Sequence, residues 1–106
     1  MSLRIDWRLA PEKLVTAIDR LFELSAGKIA SVEKTWGESR GSPVFTVNGR
    51  YVTRGWTDWT DGFRHGSALL QYDATGEPEF LELGVRGTVH SMPPHVSHIG
   101  VHDHGF

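Results

Sequence analysis

The chain has no cysteine among its 106 residues. Disulfides, thiolate nucleophiles and Cys-type zinc sites are thereby excluded. Basic runs are also lacking: 11 Lys and Arg face 13 Asp and Glu, for a formal charge of −2. A nucleic-acid partner is not expected, because phosphate binding needs a basic face. No stretch approaches the roughly 18 apolar residues of a membrane span, so no membrane partner is expected. Charges at Arg4, Asp6 and Arg8 interrupt the start of the chain. No signal peptide is read there, and a cytoplasmic location is the default. With 39% hydrophobic and 23% charged residues, the composition is globular, and the length suits one small domain.

Aromatic and imidazole groups are concentrated instead. There are four Trp in this small chain, and five of the six His lie between His90 and His104.

The first predicted element is one long helix, from about Pro11 to Trp36. Proline suits a first helical turn, where its missing N–H would have no partner. Leu14, Ile18, Leu21, Phe22, Ser25, Ile29, Val32 and Trp36 then follow steps of three or four, with Ser25 the polar member of the stripe. The stripe keeps its phase through Gly27, despite a helix penalty of about 1 kcal/mol. Val44-Phe45-Thr46-Val47, Asn48-Gly49 and Arg50-Tyr51-Val52-Thr53 read as a β-hairpin with an Asn-Gly turn. Two strands alone are marginal in water, so the hairpin must lie on something. A second helix is expected from Thr57–Asp61 to about Ala74, capped by Thr60 or Asp58 and closed by a left-handed Gly76. Glu77-Pro78 then opens a third helix, ending near Ser91, and the pair forms an antiparallel αα-hairpin. Gly62, Gly66, Gly84 and Gly87 point to close backbone approach or to room for a ligand. Met92-Pro93-Pro94 ends the third helix, and the stretch from His95 to Phe106 reads as a loop.

Two stretches carry chemistry. In Trp56-Thr57-Asp58-Trp59-Thr60-Asp61-Gly62-Phe63, indole rings can stack on the apolar face of a sugar while Asp and Thr bond its hydroxyls. The same stretch can equally be a capped helix start with two Trp in the core. In the tail, His98-x3-His102-x-His104 could hold a metal ion, although the accompanying carboxylate spacing is missing. A hydrogen-bonded loop accounts for the same residues. Asp103, flanked by imidazoles, can serve as an acid or a base.

Taken together, these blocks resemble the unsaturated glucuronyl hydrolases, glycoside hydrolases built as a six-hairpin α/α-barrel. Thr57-Asp58-Trp59-Thr60-Asp61-Gly62-Phe63 resembles the family's opening motif. Gly66, Tyr72, Thr75-Gly76 and Phe80 follow in register, and His102-Asp103-x-Gly105-Phe106 resembles its His-Asp-x-Gly-Phe motif. The resemblance runs from about Tyr51 to Phe106. It implies a mainly α fold, with αα-hairpins from the start of an (α/α)6 barrel and a short β-hairpin between the first two helices. It implies that Asp103 is one of two catalytic aspartates, that His102 is an active-site histidine, and that Trp59 lines the sugar site. The implied reaction is hydration of the double bond in oligosaccharides ending in an unsaturated uronic acid, with no metal or organic cofactor. The chain departs from the family pattern at Arg64-His65, Gln71 and His104, all near the expected site. Family members are several times longer. Residues 1–106 are therefore expected to be the amino-terminal part of one catalytic domain, inactive alone. Its implied partners are an oligosaccharide and either a missing carboxy-terminal segment or a second copy. The alternatives are a non-catalytic helical fragment that binds carbohydrate or a protein, and a His-rich metal protein.

Overall fold

The computed structural model describes residues 4–37, 40–55 and 59–98. The molecule is mainly helical with one small antiparallel sheet. A 3-10 turn, Pro11–Leu14, runs directly into helix α1, Val15–Trp36, so the predicted long helix differs only in its tighter first turn. Strands β1, Pro43–Val47, and β2, Arg50–Thr53, follow. Helices α2, Asp61–Thr75, and α3, Pro78–Ser91, come next. A short helix α4, Pro93–Ser97, completes the described elements.

The hairpin turn is left-handed at both central residues, with φ of 50° at Asn48 and 73° at Gly49. That is the type I′ geometry Asn-Gly favours, because its twist matches the strands it joins. Val47 pairs with Arg50, Thr46 with Tyr51, and Phe45 with Val52, and the register slips between Pro43 and Phe45. The hairpin rests on the end of α1. Tyr51 meets Trp36 edge to face, with ring centroids 6.2 Å apart. The Trp36 indole N–H also donates to the Gly41 carbonyl at 2.8 Å.

Gly76 ends α2 at φ 72° and donates its N–H to the Tyr72 carbonyl at 2.7 Å. Pro78 opens α3 from an extended Glu77. Thr60 sits at the start of α2 as expected, but among the described residues no side chain caps that end by hydrogen bond. Asp58, the other candidate cap, lies outside the described residues.

Contacts along α2 and α3 run in opposite senses. His65 Nε2 lies 3.1 Å from Ser91 Oγ, and a β-carbon on Gly84 would meet Leu69. The expected αα-hairpin is therefore antiparallel. Close approach holds at Gly84 and Gly87 but not at Gly66, which has open space where a β-carbon would go. Helix α1 also lies antiparallel to α2. Glu33 meets Arg64 at one end, and the Phe22 carbonyl accepts from Gln71 Nε2 at 3.0 Å at the other. Ala68, Gln71 and Phe80 are buried between the helices. The Gln71 Oε1 atom has no hydrogen-bond partner among the described residues.

One expectation needs correcting. The sequence predicts a loop from His95 onward, yet Pro93–Ser97 is a helical turn. Proline is disfavoured inside a helix but not in its first turn. The Met92-Pro93-Pro94 signal therefore marks a restart as well as a stop. No helix among the described residues is long and apolar enough to cross a membrane.

Candidate functional site

The linker between Gly37 and α2 builds the site by tying three elements together. The Gly41 carbonyl accepts from the Trp36 indole and, at 2.9 Å, from Arg64 Nη1. Buried Ser42 donates to Asp61 Oδ1, at the first residue of α2, at 2.6 Å. Gly41 has φ of 71°, a conformation glycine adopts without the steric penalty other residues incur. Arg64 Nη2 pairs with Glu33 Oε2 at 3.0 Å, and Arg86 of α3 reaches the other oxygen of that carboxylate at 3.2 Å. The Arg64 side chain is only 11% exposed. Glu33 thus joins α1 to α2 and α3 at once.

Among the described residues, two cavities lie against this hub. The larger, of about 570 Å³, runs between α1, the start of β1, α2 and α3. Ile29, Val32, Val44, Phe63, Ala68 and Leu83 give it an apolar wall. Its polar groups include Ser25, Glu33, Ser42, Thr60 and Arg64. Trp59 also lines it, set edge to face on Phe63 at 5.6 Å between centroids. The smaller cavity, of about 350 Å³, has several charged or titratable side chains in its wall. Arg40, Arg54, Arg64, Asp61, His65 and His90 are among its lining residues. Ser42, Arg64, His65 and Gly87 border both spaces, so the cavities share a wall.

Of the candidate site residues, Trp59 and His98 are described; Trp59 is 50% exposed rather than core, and His98 is exposed. Asp103, His102 and His104 lie outside the described residues, as does Trp56. Among the described residues, no three His, Asp or Glu side chains cluster in a way that could hold a metal ion. Away from both cavities, hydrogen bonds from the Arg8 side chain and backbone hold the Asp6 carboxyl below the usual carboxylate range.

Sequence reasoning noted Arg64 only as a departure from a motif and missed Glu33. A signal was available: Glu33 lies one helical turn from both Ile29 and Trp36, beside the apolar stripe of α1. An acid in that place calls for a buried cation nearby.

Comparison with protein-family models, curated proteins and solved structures gives no match to this chain.

Proposed function

We propose that this chain is the amino-terminal part of a glycoside hydrolase resembling the unsaturated glucuronyl hydrolases, with α1 to α3 belonging to the opening of an α/α-barrel. One observation carries the reading: a half-exposed indole, Trp59, lines an apolar groove that also holds hydroxyl, carboxylate and guanidinium groups. An oligosaccharide needs such a surface, with a flat ring for the apolar face of each sugar and a few hydrogen-bonding groups to fix its orientation. Asp103, with His102 beside it, is one carboxyl of the acid–base pair. A carboxylic acid protonates the vinyl ether of an unsaturated uronic acid, water adds at C5, and the resulting hemiketal collapses to release the sugar. Such chemistry suits two carboxyls whose surroundings hold one of them protonated. No metal or organic cofactor is required.

The test is a titration of the chain with an unsaturated uronic-acid disaccharide, followed by tryptophan fluorescence, with turnover read from loss of the double-bond absorbance. Saturable binding is expected. It should weaken about tenfold or more in Trp59→Ala, a change worth about 1.4 kcal/mol, and persist in Asp103→Asn. Turnover is expected only when the rest of the barrel is present, and Asp103→Asn should abolish it there. Binding that is absent, or unchanged by Trp59→Ala, would refute the reading. A binding-only role is the second reading. It is favoured because the described lining of the groove comes from Trp59 together with α1, β1, α2 and α3. In that case Asp103→Asn changes nothing in any context.

A further inference from the structure

We infer that the larger groove is a binding site for an unbranched carboxylate of medium chain length, its apolar chain lying along α1 and its carboxylate meeting Lys28. The inference goes beyond the sugar reading and does not rest on it, because it uses the end of the groove away from Trp59. Glu33 meets Arg64 at one end of the contact between α1 and α2, and Phe22 meets Gln71 at the other. Ser25, Lys28 and Ala68 therefore line the end toward Gln71, whereas Trp59 and Thr60, which precede α2, line the end toward Glu33. Protein interiors leave few voids larger than a water molecule. This space has about 570 Å³, within the range of about 300–1,000 Å³ typical of small-molecule sites. Its room comes from short side chains on facing helices, Ser25 on α1 and Ser67 and Ala68 on α2. Ser25 is also the one polar break in the apolar stripe of α1.

Shape and wall chemistry select the chain. The lining residues of α1 run from Ser25 to Glu33, about 12 Å along the helix axis at 1.5 Å per residue. Ile29, Val32, Val44 and Leu83 border the space between. Hydroxyl groups set against these side chains would lose water without gaining partners, whereas methylenes gain by leaving water. Charge selects the head group. Of the Lys, Arg, Asp and Glu residues in the wall, Arg64 and Glu33 pair with each other, which leaves Lys28. Its ammonium has no partner among the described residues. The residues one turn away from it on α1, Leu24, Ser25, Ser31 and Val32, carry no charge. Lys28 is exposed at the rim, so its stem can follow the apolar wall while the ammonium stays in water. An anionic head can thus pair with it at the surface while the chain behind it is buried.

The test is an NMR titration of the ¹⁵N-labelled chain with decanoate, octanoate, decanol and decyltrimethylammonium, each below the concentration at which it forms micelles. Saturable shifts at Ile29, Val32, Ala68 and Leu83 are expected with decanoate. Octanoate, with two fewer methylenes to bury, should bind about tenfold more weakly. Lys28→Gln, at an exposed position, should weaken decanoate about three- to fivefold and leave decanol unchanged. Ser25→Phe fills the groove and should block both, and Lys28→Gln decides the matter if that variant does not fold. Decanoate binding of this kind in a chain that ignores the unsaturated disaccharide would uphold the site while refuting the sugar reading. Shifts that do not saturate, or that are confined to the open rows at Leu14, Ile18, Leu81 and Val89, would overturn the assignment. So would decyltrimethylammonium binding as tightly as decanoate, or decanoate affinity unmoved by Lys28→Gln.

Discussion

A β-carbon placed on Gly87 would collide with the His65 ring, coming within 2.5 Å of Cε1 and 2.9 Å of Cγ. That ring has little freedom to retreat, because its Nε2 lies within hydrogen-bond reach of Ser91 Oγ. Overpacking of this kind costs about 1–3 kcal/mol, more than the roughly 1 kcal/mol that alanine gains over glycine in a helix. Gly66, one residue after His65, has nothing within 4 Å of the same position. Gly87→Ala should therefore lower stability to urea by about 1–2 kcal/mol, and Gly66→Ala should raise it by about 0.5–1 kcal/mol. Equal effects would mean that α2 and α3 do not approach as described. The sequence carried only half of this distinction. Four glycines on two adjacent helices announce tight packing, but which of them face inward depends on the rotation of each helix. Gln71 shows a similar gap. Its polarity argues for exposure, yet it is buried with one bond to the Phe22 carbonyl. No local pattern gives the position of a carbonyl 49 residues away.

Among the elements, α2 decides how much of α1 is covered. Its 15 residues span about 22 Å, against about 33 Å for the 22 residues of α1. Packed from Glu33 back to Phe22, α2 leaves the first turns of α1 uncovered. The apolar stripe read from the sequence is real as a helix signal, but only its second half, Ser25, Ile29 and Val32, faces the groove. The hairpin was the most legible element, because Asn48-Gly49 states its own turn chemistry. The tie between the helices was not legible, since Glu33 and Arg64 are 31 residues apart. That tie should matter to stability. Glu33→Gln would leave the Arg64 guanidinium mostly buried and without its carboxylate, at a cost of roughly 2 kcal/mol. Arg86→Gln, whose side chain is 50% exposed, should cost under about 0.5 kcal/mol. Urea unfolding of the two variants checks the order, and an equal loss in both would rule out Arg64 as the partner that counts.

For the whole molecule, the radius of gyration is 16.7 Å, against about 13 Å for a compact domain of roughly this length. Several apolar side chains also meet little among the described residues. On α3, Phe80, Gly84 and Gly87 are buried, while Leu81, Val85 and Val89 form a second row that is open, with Val89 63% exposed. On the 3-10 turn and the start of α1, Leu14, Ile18 and Leu21 do the same, with Leu21 60% exposed. Two rows on separate helices exceed the scattered exposed apolar residues of an ordinary monomer, and such contiguous surface recruits either a partner or a dye. The chain should therefore bind a hydrophobic fluorophore in its folded state and sediment as larger species as its concentration rises. Leu21→Glu and Val89→Glu should each reduce both effects, while urea stability changes by no more than about 0.5 kcal/mol because the positions are open. A chain that stays monomeric across the concentration range and ignores the dye would mean that these rows are covered in solution, and the helices would then have to pack differently from the arrangement described.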